Sequence, residues 1–121
     1  MVVPIKSWAT AKARLAGALT PAEREQLALR CATTVLAAAR PLPVFVVCDD
    51  AAVASWAVSQ GAAVVTPAGS GLNSAVASGR QAAHRAGHVR VLIVHSDLPN
   101  ATDLASLDDH SAAVIVVPDR H

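Results

Sequence analysis

The stretch VVPIKSWATAKARL, residues 2–15, is the most informative part of this 121-residue chain. Its apolar start, Val2 to Ile5, predicts a strand that leads into a loop of small residues carrying Lys6, Lys12 and Arg14. Ligands of open α/β sheets bind outside the carboxyl ends of the strands. Because lysine offers phosphate oxygens a point charge and arginine a planar fork, the pattern is typical of a polyphosphate-binding edge. A solvated loop whose cations only maintain solubility explains the charges equally well.

Apolar and helical segments alternate along the rest of the chain. Thr20-Pro21-Ala22-Glu23 has the form of a capping box and predicts a helix that runs to Ala39. Further strands are predicted at residues 44–48, 62–65, 89–94 and 113–117, and further helices at 51–59, 72–85 and 102–107. The pattern predicts an α/β fold with an open, mostly parallel sheet and flanking helices. Residues 89–94 are the most hydrophobic segment and are expected to form the most buried strand.

Composition argues against several classes of function. The formal net charge is +1 without any basic block, and aromatic residues make up only 2%, so no nucleic acid partner is expected. No apolar run approaches the ~20 residues that span a bilayer, and Met1 to Ile5 is too short for a signal-peptide core. We therefore expect a cytoplasmic protein whose Cys31 and Cys48 are reduced, buried and not joined in a disulfide.

Two further loops are predicted to leave the carboxyl ends of strands. The loop from Pro67 to Asn73 contains Gly71, which permits close approach of the backbone, and Asn73, which offers an amide near a helix start. Such a loop is more often plain turn chemistry. The other loop, HSDLP at residues 95–99, puts Asp97 after the most hydrophobic strand, where a carboxylate suits Mg2+ together with substrate phosphates.

Other polar residues have simpler explanations. Asp97 could instead cap the next helix, although Asn100 and Asp103 lie nearer to that helix. Asp49 and Asp50 suit helix capping. Residues His84, His88 and His110 are scattered without ligand spacing, so no zinc site is predicted, and His95 is the histidine nearest to a proposed site.

Five motifs occur in an order that resembles the 2-phospho-L-lactate or phosphoenolpyruvate guanylyltransferases of deazaflavin cofactor (F-420) biosynthesis. They are VPIK with AKARL (3–6 and 11–15), LTPAER (19–24), GLN (71–73), DLP (97–99) and VPDRH (117–121). The resemblance covers essentially all of this chain but only the first half to two thirds of a family member. It implies a nucleotide-diphospho-sugar transferase-like, Rossmann-like fold and Mg2+-dependent transfer of GMP from GTP to a phospho-acid acceptor, with release of pyrophosphate.

The resemblance also implies roles for particular residues. Lys6, Lys12 and Arg14 would be catalytic and nucleotide-binding, because they would neutralise the triphosphate and the charge that develops on pyrophosphate. Residues 71–73, Gly71, Leu72 and Asn73, would bind the nucleotide at guanine or its ribose, and Asp97 would be the metal ligand. The acceptor-binding residues would lie beyond His121, since the family continues there into a Gly/Thr/Asn loop and further carboxylates.

Several alternatives remain open at the level of the sequence. Residues 1–121 are expected to be the nucleotide-binding part of a single nucleotidyltransferase domain, truncated after the fifth predicted strand. His95-Ser96 stands where the family commonly has smaller, less polar residues. The chain could be a non-catalytic or degenerate nucleotide-binding fragment, or a molybdopterin guanylyltransferase-like protein, although it lacks the Gly-rich start of that family. A receiver-like signalling module would use Asp49, Asp50 and Asp97 but needs a lysine after its last strand. Both the acceptor and homo-oligomerisation are left open.

Overall fold

The computed structural model describes residues 1–10 and 16–109, and it has the predicted α/β architecture. Its elements, in chain order, are β1 (Val2–Pro4), α1 (Pro21–Ala39), β2 (Phe45–Val47), α2 (Ala51–Ser59), β3 (Ala63–Val65), α3 (Leu72–Arg85) and a 3-10 helix (Leu104–Asp109). The strands β1, β2 and β3 form a parallel sheet in that order. The predicted strand at 113–117, like Lys12 and Arg14, lies outside the described residues.

A parallel bridge between Val2 and Ile93 adds the segment 91–94 to this sheet. The Val2 amide donates to the Leu92 carbonyl at 2.7 Å, and the Val2 carbonyl accepts from the Val94 amide at 3.0 Å. On the alternate residues, the Met1 carbonyl and the Ile5 amide bond to β2. Because neighbouring residues of a strand direct their backbone groups to opposite sides, the segment lies on the side of β1 away from β2. The resulting order, segment 91–94, β1, β2, β3, is the beginning of a Rossmann-like sheet.

The prediction that residues 89–94 form the most buried strand is wrong. Val89 is 93% exposed and Ile93 is 47% exposed, whereas Val94 is buried. Among the described residues, this segment pairs with the sheet only at the bridge to β1. A hydrophobic run is buried on both faces only when helices cover it on both, and the run itself does not specify that cover.

Helices cover both faces of the sheet formed by β1 and β2. On one face, Val3 and Val46 belong to a core cluster with buried side chains of α1 and α2, including Val35 and Val53. On the other face, α3 approaches so closely that a Cβ on Gly79 would overlap Val2 Cγ1 and lie 2.9 Å from Val47 Cγ2. Helix α3 therefore depends on a glycine at its closest approach to the sheet.

Local capping signals determine where α1 and α2 begin. The predicted capping box is formed: the Glu23 amide donates to Thr20 Oγ1 at 3.2 Å, and the Thr20 amide donates to Glu23 Oε1 at 3.0 Å. The bond from the Thr20 backbone is the main cause of a lowered pKa of the Glu23 carboxyl. Asp50 caps α2 by accepting from the Val53 amide at 3.0 Å, as its position predicted.

The bounds of α3, Leu72–Arg85, agree with the prediction, and its apolar residues Leu72 and Ala83 predict an inward-facing side. Ala83 is buried, but Leu72 is 51% exposed. Leu72 is the first residue of the helix, and the buried residues of α3, Gly79 and Ala83, lie in later turns. No described helix has both the length and the apolar character needed to cross a bilayer.

Candidate functional site

Lys6 lies where β1 leaves the sheet. The Ile5 amide still donates to the Val47 carbonyl at 3.0 Å, which continues the pairing with β2 one residue past β1. Lys6 is exposed and follows at once. The next residues form a turn in which the Thr10 amide donates to Ser7 Oγ at 3.2 Å and the two hydroxyl oxygens lie 2.9 Å apart. Lys6 is thus an exposed residue at the carboxyl edge of the sheet.

Asp97 lies beyond the neighbouring segment at the same edge. Val2 pairs with Ile93, and Asp97 lies as many positions after Ile93 as Lys6 lies after Val2. Both Lys6 and Asp97 are exposed. Within the described part of the chain, the Asp97 carboxylate forms no hydrogen bond or ion pair, and the 3-10 helix begins only at Leu104. The capping alternative for Asp97 therefore receives no support. Lys6 and Asp97 thus follow the carboxyl ends of two adjacent parallel segments, and α/β sheets bind ligands outside such ends.

The loop after β3 lies farther along the edge. Gly71 has φ of +87°, a conformation that favours glycine, and it precedes α3 without supplying a side-chain cap. Leu72 and Asn73 are both exposed. The first amides of α3 are thus open at the carboxyl edge and carry the partial positive charge of a helix start. Because adjacent strands lie about 4.8 Å apart, β3 is roughly 10 Å from β1, and the chain returns from β3 so that α3 packs on Val2 of β1 and Val47 of β2.

The donor set at this edge suits one mode of Mg2+ binding. No group of three His, Cys, Asp or Glu residues near one another occurs in residues 1–10 and 16–109. Magnesium is usually held by one or two carboxylates together with substrate phosphates and water. Asp97 is exposed and has no partner among residues 1–10 and 16–109, and it follows a segment adjacent to the one that leads to Lys6, which fits that arrangement.

The chain has two tryptophans, and they touch at this edge, a contact that sequence reasoning missed. Trp8 follows Lys6 in the loop after β1, and Trp56 lies on α2. Their ring centroids are 5.2 Å apart at an interplanar angle of 86°, an edge-to-face contact. The available signal was that each tryptophan belongs to the segment following one of two strands, β1 and β2, that pair directly.

A cavity elsewhere is not a candidate for the same ligand. Its volume is about 90 Å³, and it lies at the amino ends of the strands, lined by residues such as Met1, Phe45 and Arg90. Pockets that enclose small-molecule ligands usually measure about 300–1,000 Å³. The cavity is therefore too small for a nucleotide and lies at the end of the sheet opposite Lys6 and Asp97.

Both cysteines are free and buried, as predicted. Burial is the main cause of a raised pKa of the Cys48 thiol, with smaller raising contributions from the charges of Asp50 and Asp49; a hydrogen bond with the Asp50 backbone acts in the opposite direction. Asp49 is exposed. The site therefore contains no reactive thiolate at neutral pH, since the nucleophilic form of cysteine is the thiolate.

We expect the folded protein to protect both thiols from a disulfide reagent such as DTNB at pH 8, and urea to expose both of them. Because the pKa of the Cys48 thiol is raised in the folded state, the thiol loses its proton at a lower pH in the unfolded chain than in the folded protein. Stability from the neutral thiol is present below the thiol's ordinary pKa of 9.0 and is lost above it. Denaturant titrations of wild type and Cys48→Ala at pH 7 and pH 10 measure this loss. Rapid labelling of Cys48 in the native state would contradict the expectation.

Together these features define a Rossmann-like α/β protein whose candidate ligand-binding residues line the carboxyl edge of a parallel sheet. Residues 1–121 match the family model described as guanylyl transferase CofC like, and the chain belongs to that family. The phosphoenolpyruvate guanylyltransferase of Chloroflexus aggregans is 34% identical to it over 99% of this chain and 65% of that protein. That of Sphaerobacter thermophilus is 39% identical over 98% of this chain and 58% of its own length. That of Salinispora arenicola is 43% identical over 82% of this chain and 47% of its own length. The chain thus spans roughly half to two thirds of these relatives.

Proposed function

We propose that residues 1–121 are the nucleotide-binding part of a single nucleotidyltransferase domain that transfers GMP from GTP to a phospho-acid in coenzyme F-420 biosynthesis. Family membership supports guanylyl transfer, and the names of the relatives favour phosphoenolpyruvate over 2-phospho-L-lactate as the acceptor. Acceptor-binding residues are proposed to lie beyond His121. A cytoplasmic setting agrees with the two free cysteines.

One observation carries this proposal more than any other. The pairing of Val2 with Ile93 makes β1 and segment 91–94 neighbours, so that Lys6 and Asp97 follow adjacent segments at one edge. A cation and a carboxylate in that position suit a magnesium-bound polyphosphate, because the ammonium attracts phosphate oxygens and the carboxylate attracts the metal. Lys12 and Arg14 continue the same loop in sequence and are proposed to bind the same phosphates.

The chemistry requires positioning and charge stabilisation rather than a protein nucleophile. An oxygen of the acceptor phosphate forms a bond to the α-phosphorus of GTP. The bond from that phosphorus to the bridging oxygen breaks, and its electron pair leaves with pyrophosphate. Lys6 would stabilise the negative charge that develops on the leaving group. Asp97 would hold Mg2+, which supplies charge neutralisation to the phosphates when bound.

The start of α3 is proposed to contact the nucleoside. Its uncapped amides, the exposed Asn73 side chain and the half-exposed Leu72 side chain are available to a flat, polar-edged ligand. Asn73 can both donate and accept hydrogen bonds along such an edge, and Gly71 has no side chain to obstruct it. Discrimination of guanine from other bases would arise here.

The test is GTP binding by the 121-residue chain, measured by calorimetry with and without Mg2+. We expect Lys6→Ala to weaken the affinity about tenfold to a hundredfold, since hydrogen bonds to charged groups contribute ~1.5–3 kcal/mol each. The matched control is Arg40→Ala, which removes an exposed cation at the C-terminal end of α1, on the amino side of the sheet. Failure of the wild type to bind GTP, or equal losses in the two variants, would contradict the proposal.

A second candidate for these 121 residues is nucleotide binding without transfer. The observation that favours it is that the chain covers only 65% and 58% of the first two relatives. Release of pyrophosphate on mixing the chain with GTP, Mg2+ and phosphoenolpyruvate separates the two candidates. Binding without release would favour the second.

A further inference from the structure

We propose that Trp56 is a positioning residue for residues 6–10: by packing against Trp8, it holds the turn that carries Lys6 in place at the sheet edge. The inference rests on the proposed function, because that function has Lys6 bind the phosphates of the nucleotide. The observation behind it is the edge-to-face contact of the two indoles, with ring centroids 5.2 Å apart.

Helix α2 is a rigid support for this contact. Its first turn is fixed by the Asp50 cap, in which the Val53 amide donates to the carboxylate at 3.0 Å. Val53 and Ala57 are completely buried and anchor the helix in the core. Trp56 is half-buried and packs against the same core cluster, so both the core and its own helix fix the position of its ring.

The turn at residues 6–10, by contrast, has few other attachments within the described part of the chain. The last sheet hydrogen bond before it is made by the Ile5 amide, and the next bonds, between Ser7 and Thr10, are internal to the turn. Of residues 6–10, Trp8 is the side chain that packs against the hydrophobic core. Among the described residues, Trp8 therefore connects this turn to the body of the protein, through Trp56 and the adjoining core.

Such a connection matters for binding because a mobile loop must be ordered when the ligand binds. Ordering lowers the affinity, and a loop that is already held in the binding conformation avoids that loss. Trp56 lies outside the proposed nucleotide-contacting set and acts through Trp8. Its removal should therefore weaken GTP binding without removing any group that contacts the nucleotide.

The experiment combines hydrogen exchange with GTP titration on the full 121-residue chain. The variants are Trp56→Leu and the conservative Trp56→Phe, with Val53→Ala as the control. Val53→Ala removes buried volume from the same helix one turn earlier and keeps both tryptophans. Exchange at the amides of residues 6–10 reports opening of the loop, and exchange at the Ile5 amide reports opening of the sheet.

We expect Trp56→Leu to raise exchange in residues 6–10 and the Kd for GTP by about threefold to tenfold, in line with the contribution of edge-to-face aromatic pairs. Ile5 should exchange no faster than in Val53→Ala, and Trp56→Phe should recover part of both effects. Equal exchange at residues 6–10 in Trp56→Leu and Val53→Ala would overturn the inference. Faster exchange at these residues in Trp56→Leu with unchanged GTP affinity would also overturn it. Absence of GTP binding by the wild type would overturn the proposed function instead, and exchange would still decide whether Trp56 holds the loop.

Discussion

Replacement of Gly79 by valine is expected to lower the free energy of unfolding by about 3 kcal/mol, at the upper end of the usual range for overpacking a core. A Cβ at this position would overlap Val2 Cγ1 and would also meet Val47. Both valines are fully or almost fully buried, and their side chains are short and stiff. Neither can rotate away, so α3 must move off the sheet. Domains of this size have ~5–15 kcal/mol of stability, so the loss is large. Urea denaturation followed by circular dichroism measures it.

The alanine variant separates steric from intrinsic effects at the same position. Gly79→Ala gains up to ~1 kcal/mol of helix propensity, and the converse change on the exposed side of the same helix, Ala77→Gly, measures that gain directly. We expect Gly79→Ala to be destabilising in spite of it. A stability equal to or above that of the wild type would show that α3 does not approach β1 as closely as described.

Replacement of Asp97 by asparagine is expected to abolish the effect of Mg2+ on GTP binding. The change keeps the size of the side chain and removes the charge that attracts the metal. GTP affinity in the presence of Mg2+ should fall at least tenfold, to about the value measured in EDTA, because a charge-assisted contact contributes ~1.5–3 kcal/mol. Calorimetric titrations of the folded variant with and without the metal provide the measurement.

Asp103→Asn is the matched control for this prediction. Asp103 is an exposed carboxylate in the same stretch of chain, and asparagine tolerates its positive φ of +48°. The control should keep the magnesium dependence of the wild type. If Asp97→Asn also kept it, the metal would have to be held elsewhere, and the assignment of Asp97 would be wrong.

The helices could be predicted from the sequence because their signals are local. The capping box at Thr20 and Glu23 involves residues three positions apart, and it correctly gave the start of α1. Asp50 likewise predicted the cap of α2. In each case, the residues that determine the helix end are the ones that form it.

Features that depend on distant parts of the chain could not be predicted in this way. The burial of residues 89–94 depends on what pairs with them and covers them, and the sequence of the run is the same at an edge as in the centre of a sheet. The contact of Trp8 with Trp56 depends on which strands are neighbours. Lys6 and Asp97 were chosen partly by resemblance, and their roles remain predictions for the binding experiments above.

The position of β1 also governs the order in which this protein can fold. Val2 pairs through its own backbone with Leu92 and Val94, provides the register for Phe45, and packs its side chain against Gly79. Strand β1 therefore lacks a complete set of neighbours until residues near position 94 have been synthesised. Contacts between such distant parts of a chain form slowly because the intervening loop must first be closed. During synthesis, the apolar strand β1 remains without its partners for the intervening residues, so protection of Val2 and Val3 by chaperones would favour productive folding.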